Sequence, residues 1–126
     1  AKISLGLENK LTLGNLDAKR DWGYAPEYVE AMWLMLQHSI ADDFVISTGR
    51  LHSVREFLGY AFGCVGLNYN DYVEVDPKFY RPSEQIPLCG DSSKIKMSLN
   101  WQPLKSLQDI VSEMVENDIK LIKGKI

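Results

Sequence analysis

The sequence predicts a mixed α/β fold, with about four helices and two or three short strands in its 126 residues. Three observations carry that reading. Apolar residues recur at helical spacing behind Pro26, and Ser53-x-x-Glu56 marks the start of a second helix. Between them, Asp43 to Thr48 (DFVIST) is β-branched and almost continuously apolar.

Taken in order, residues 2–9 hold Ile3, Leu5 and Leu7 and read as the frayed end of a helix. Lys10 to Leu13 alternates polar and apolar before Gly14-Asn15, the pattern of a short strand entering a turn. Asp17 to Trp22 reads as a charged loop with one large aromatic. Pro26 suits a first helical position, where its missing N–H would have had no partner, and Glu27 and Glu30 favour the positive end of the helix dipole. The stripe Val29, Met32, Trp33 and Leu36, widened by Tyr28 and Met35, points to a core-facing side. Phe44-Val45-Ile46 has the composition of a strand buried on both faces.

Ser53 and Glu56 can each satisfy an amide that the helix start leaves unpaired. The helix they open runs through Phe57, Leu58, Ala61 and Phe62 and closes near Gly63 or Gly66. Tyr72 to Val75 alternates as a strand, and Pro77 ends it. Asp91 can cap a short helix holding Ile95, Met97 and Leu99, and Trp101-Gln102-Pro103 breaks the chain. Ser106 caps a final helix whose stripe is Leu107, Ile110, Val111, Met114, Ile119 and Leu121. Its tail of Lys120, Lys123 and Lys125 complements the negative helix end.

Composition narrows the function classes. Apolar residues make up 45% and charged residues 25%, close to globular averages, which argues against long disorder. The net charge is −3 and no basic run is interleaved with aromatics, so no nucleic-acid partner is expected. An anionic ligand would have to be recruited by a few placed cations. Cys64 and Cys89 lie in apolar or turn contexts without CxxC spacing, and no His stands at ligand spacing. They are expected to be buried or half-buried free thiols, as suits a reducing cytoplasm, and no metal site is expected. No apolar run approaches the roughly 18 residues of a membrane span, so no membrane partner is expected.

The catalytic inventory is nearly empty. Gly14, Gly23, Gly63 and Gly66 never fall into G-x-G-x-x-G behind a strand, and Gly63-Cys64-Val65-Gly66 follows a helix instead of opening one. His38 ends a helix, His52 precedes a capping serine, and Asp42-Asp43 reads as a turn. Two stretches carry more polar groups than structure alone requires: Gly14 to Gly23 (GNLDAKRDWG) and Tyr80 to Glu84 (YRPSE). Each places an arginine in a loop, and the guanidinium fork of Arg20 or Arg81 suits bidentate phosphate contact. Glu84 could accept hydrogen bonds from sugar hydroxyls. The plainer alternative is a surface ion pair, Arg20–Asp21 or Arg81–Glu84, worth at most ~1 kcal/mol. Composition alone leaves both open.

Four segments resemble GDP-mannose 4,6-dehydratases in order and at compatible spacing: Leu13 to Gln37 (LGNLDAKRDWGYAPEYVEAMWLMLQ), Thr48 to Phe57 (TG-x-x-HSVREF), Val75 to Glu84 (VDPKFYRPSE), and Gly90 to Pro103 (GDSSK…LNWQP). The resemblance implies an extended short-chain dehydrogenase/reductase. Such enzymes hold NADP in an N-terminal Rossmann domain and convert GDP-mannose to GDP-4-keto-6-deoxymannose on the way to GDP-fucose. On that resemblance, residues 1–126 are a single C-terminal substrate-binding portion whose sheet is incomplete without the Rossmann portion. Arg20 and Arg81 match the arginines beside the GDP phosphates, Glu84 matches the acidic residue near the ribose, and Gly14 and Asn15 lie where the family's loop passes the nucleotide.

The Gly-rich NADP loop, the Tyr-x-x-x-Lys pair and the Thr/Glu catalytic positions are not in the sequence. The chain alone is therefore expected to hold no catalytic residue, to bind no cofactor and to be inactive. Asn68 to Val75 forms a shorter connection than in many family members. The implied partners are GDP-mannose, the Rossmann portion of the same protein and further copies in a homo-oligomer. Two alternatives stand beside this: a related GDP-sugar reductase or epimerase, and a non-catalytic nucleotide-sugar-binding module.

Overall fold

A computed structural model describes residues 1–82 and 86–125. Four α-helices form among them: α1 (Ala25–Gln37), α2 (Val54–Gly63), α3 (Ser93–Leu99) and α4 (Leu107–Lys123). Four short strands accompany them: β1 (Leu11–Leu13), β2 (Lys19–Arg20), β3 (His52–Ser53) and β4 (Val73–Val75). They make two separate two-stranded sheets. β1 and β4 run parallel, Leu11 opposite Val73 and Leu13 opposite Val75, and β2 pairs antiparallel with β3, Arg20 opposite His52. The α/β class and the four helices agree with the sequence, and the sheet is small and incomplete.

Local chemistry explains the helix starts. Pro26 sits in the first turn of α1. The Ser53 hydroxyl accepts from the Glu56 amide at 3.1 Å while the Glu56 carboxylate accepts from the Ser53 amide at 2.7 Å, the reciprocal box the sequence predicts. Ser106 accepts from the Asp109 amide at 3.2 Å and opens α4. The next two amides of α2 are also satisfied: Val54 donates to the Ala18 carbonyl at 3.0 Å and Arg55 to the Leu16 carbonyl at 2.9 Å. The loop at 16–18 thus becomes the cap that seats α2.

The core lies in two clusters. Leu16, Leu58 and Phe62 pack with Leu13, Val54, Tyr72 and Val73, joining α2 to the β1–β4 pair, with the Phe62 and Tyr72 rings stacked at 5.8 Å. Ala31, Ile95 and Trp101 pack with Tyr28, Leu34, Met35, Phe44 and Ile46, joining α1 to α3. Trp101 donates its indole N–H to the Glu27 carbonyl at 2.9 Å, and the Glu27 carboxylate accepts the amides of Leu104 and Lys105 at 2.9 and 3.1 Å. Those bonds hold the entry to α4 against the start of α1.

Several expectations are corrected. The stripe Val29, Met32, Trp33 and Leu36 does not face the core: all four are exposed, Leu36 at 82%. The face of α1 that packs within the chain carries Tyr28, Ala31, Leu34 and Met35 instead, so the helix is apolar on two sides. Asp43 to Thr48 forms no strand. Phe44 and Ile46 pack on the second cluster, yet among the described residues no backbone–backbone hydrogen bond involves Phe44 to Ser47, because no strand lies alongside. Residues 2–9 form a 3-10 turn at Ile3–Leu5, and the loop from Asp17 to Trp22 contains β2. Met114 and Leu121 are exposed on α4, while Leu107, Ile110 and Val111 are buried. Cys64 and Cys89 are free but exposed, one just past α2 and the other ahead of α3, and neither reaches a core cluster.

Candidate functional site

The parallel pairing of β1 and β4 brings two of the polar stretches to one end of that pair. β1 leads into Gly14-Asn15, and β4 leads through Asp76 and a 3-10 turn (Pro77–Phe79) to Tyr80 and Arg81. Asp76 fixes this exit twice, its amide donating to the Leu13 carbonyl at 2.8 Å and its carboxylate accepting from the Lys78 amide at 3.0 Å. Gly14 lies flat against the turn. A Cβ there would stand 2.6 Å from the Phe79 carbonyl oxygen, so only glycine admits the approach.

Asn15 has a structural duty as well: its side-chain oxygen accepts from the Asp17 amide at 3.0 Å and shapes the turn that follows β1. Asp17 then pairs with Arg55 at 3.1 Å, and buried Leu16 and Ala18 anchor the stretch on α2. Arg20 leaves this stretch in β2, half-buried, its guanidinium donating to the Lys19 carbonyl at 2.9 Å. Arg81 is exposed. Glu84 lies outside the described residues.

Asp21, next to Arg20, is the most heavily bonded carboxylate in the region. Its Oδ1 accepts from the Thr48 amide at 3.0 Å and from the Thr48 hydroxyl in a very short contact. Its Oδ2 accepts from the amides of Gly49 at 2.9 Å and Gly90 at 3.2 Å. Partial burial pushes the Asp21 carboxyl up, but the bonds from Thr48, Gly49 and Gly90 outweigh it and hold the group below the usual carboxylate range. The Arg20–Asp21 ion pair weighed as the plain alternative is therefore an incomplete description of Asp21, whose oxygens are committed to three distant residues. Sequence reasoning passed over this; the signal was an acid beside the loop arginine, with Thr48-Gly49 and Gly90 as flexible donors.

A cavity of about 320 Å³ opens nearby, lined among others by Trp22, Thr48, Arg50, His52 and Lys105. Of the residues weighed from the sequence, His52 and Trp22 line it, whereas Gly14, Asn15, Arg20 and Arg81 do not. His52 is half-buried in β3 with Nδ1 3.6 Å from Glu56 Oε1, and His38 ends α1. Among the described residues no group of three or more His, Cys, Asp or Glu could hold a metal ion, and no helix is long and apolar enough to cross a membrane.

The fold places the chain in a class. It superposes on RMD from Pseudomonas aeruginosa, solved with NADPH, at a TM-score of 0.80 and 19% identity, covering 91% of this chain and 38% of that one. It superposes on UDP-glucose 4-epimerase from Bifidobacterium longum, solved with NAD+ and UDP, at a TM-score of 0.79 and 16% identity, covering 94% and 37%. At those identities the likeness is one of fold, and the fold is that of part of an extended short-chain dehydrogenase. Sequence narrows it further. The family model described as GDP-mannose 4,6 dehydratase matches residues 1–114. GDP-mannose 4,6 dehydratase 1 of Arabidopsis thaliana is 50% identical over 122 residues, which is 97% of this chain and 34% of the plant protein. The chain belongs to the GDP-mannose 4,6 dehydratase family and spans about a third of that relative's length.

Proposed function

We propose that this chain is the nucleotide-sugar-binding portion of a GDP-mannose 4,6-dehydratase, an NADP-dependent lyase that converts GDP-mannose to GDP-4-keto-6-deoxymannose. One observation carries the reading beyond family membership. Gly14 and Asn15, which open the stretch that carries Arg20, leave one end of the β1–β4 pair, with Gly14 seated on the turn that leads to Arg81. Arg20 and Arg81 grip the diphosphate, Glu84 takes ribose hydroxyls, and Gly14 and Asn15 line the nucleotide's path. A mildly acidic chain holds a dianion in this way by a few placed forks and not by its overall field.

NADP belongs to a Rossmann portion outside these residues. The sequence offers no Gly-rich loop opening a helix, and the nearest run, Gly63 to Gly66, closes α2. That portion also covers the outward face of α1 and pairs a strand with Asp43 to Thr48. The support is an apolar helix face and an unpaired apolar backbone side by side, in a chain about a third as long as its relative. The reading places the enzyme in the cytoplasm as a homo-oligomer. The sequence relatives favour dehydration over epimerisation or reduction, the second reading that the fold alone would allow.

Arg20→Ala in the complete enzyme tests the site. GDP-mannose binding should weaken by at least ~1.5 kcal/mol, the low end for a lost hydrogen bond to a charged group, with NADP binding unchanged. Equal loss for both ligands in a calorimetric titration would make Arg20 structural. A 4-epimer in place of the 4-keto-6-deoxy product would move the chain to the second reading.

A further inference from the structure

The stretch carrying Arg20 and the stretch carrying Arg81 are joined at two places. At one, the backbone of Phe79 lies against Gly14, close before Arg81. At the other, the Gly90 amide, further along the segment that bears Arg81, donates to Asp21, the residue after Arg20. The same carboxylate holds Thr48 and Gly49, which lead into β3, and β3 pairs with β2 so that Arg20 stands opposite His52. Arg20 is thereby fixed from both flanks, by the strand pairing on one side and by Asp21 on the other.

The surroundings are shaped for this tie. Gly49 has φ +71°, a left-handed backbone that turns its amide toward the carboxylate at little cost for glycine. A Cβ on Gly90 would stand 2.3 Å from Ser47 Cβ, so a side chain there would push its amide away from Asp21. Four donors on two oxygens also demand the ionised carboxylate. An amide in its place offers one oxygen and turns an N–H₂ toward other donors.

We infer that Asp21 is a positioning residue of the nucleotide-sugar site, a clasp whose carboxylate sets Arg20 and the Arg81 segment at the spacing a diphosphate requires. The inference rests on the reading of Arg20 and Arg81 given above. Asp21 itself touches no ligand. Its contribution is preorganisation: with the clasp closed, binding does not have to order the two cation-bearing segments.

The test uses the complete enzyme and titrates GDP and NADP separately, well below the melting temperature measured for each variant. Asp21→Asn should weaken GDP binding about tenfold, the scale of one charge-assisted hydrogen bond, with NADP affinity unchanged. Thr48→Val, which removes the hydroxyl donor, should weaken GDP binding in the same direction, and Thr48→Ser should restore it. A merely structural Asp21 would lower the melting temperature yet leave GDP affinity in the folded protein at the parental value. That result, beside a GDP defect in Arg20→Ala, overturns the clasp and leaves the site standing. Parental GDP affinity in Arg20→Ala as well overturns the site and the clasp together. Equal loss of GDP and NADP in Asp21→Asn also counts against the clasp. If Asp21→Asn fails to fold, the Thr48→Val and Thr48→Ser pair decides, since parental GDP affinity in both overturns the inference.

Discussion

Trp33 offers a quantitative test of what covers the outer face of α1. The residue is 58% exposed in this chain, although it sits in an apolar stripe with Val29, Met32 and Leu36. A tryptophan buries up to roughly 150–250 Å². The exposed 58% is then about 90–145 Å², worth about 2–3.5 kcal/mol at about 25 cal/mol per Å² if a neighbouring layer removes it from water. Trp33→Ala should therefore cost the complete enzyme about 2–3.5 kcal/mol more than it costs the 126-residue chain, where the outer surface of the ring already meets solvent. Urea denaturation of both proteins, with and without the substitution, gives the four midpoints and slopes required. The difference between contexts is the informative quantity, because the buried part of the ring contributes equally to each. Equal losses in the two contexts would show that the face meets water in the complete enzyme, and the proposed layer over α1 would be wrong.

Two further outcomes bear on the fold. Ser53→Ala should lower stability by about 1 kcal/mol, because the Glu56 amide loses its acceptor at the start of α2; an unchanged denaturation midpoint would refute the cap. Glu27→Ala should cost about 2 kcal/mol, since the Leu104 and Lys105 amides lose a charged acceptor, and hydrogen exchange at those two amides should rise with it; unaltered protection there would sink the assignment.

The elements legible in the sequence were those whose signals are local. The box of Ser53 and Glu56, the cap at Ser106 and Pro26 in the first turn of α1 each act within one turn of chain, and each appears where the residues predict it. The failures share a different cause. Val29, Met32, Trp33 and Leu36 carry a true helical period, and period says that a face is apolar without saying which layer meets it. Here the opposite face, through Ala31 and Met35, takes the contacts the chain can offer. Phe44 to Ile46 has strand composition, but a strand is a relation between two segments, and no partner strand lies beside it among the described residues. The same reasoning separates Arg20 from Asp21. An arginine fork can be picked out from its own chemistry, so Arg20 stands out as a candidate in the sequence alone. The duty of Asp21 depends on Thr48, Gly49 and Gly90, far apart in sequence and met only when the fold closes. The geometry gives the adjacency of the two residues a physical basis: the arginine stands next to an acid committed to holding the backbone beneath it.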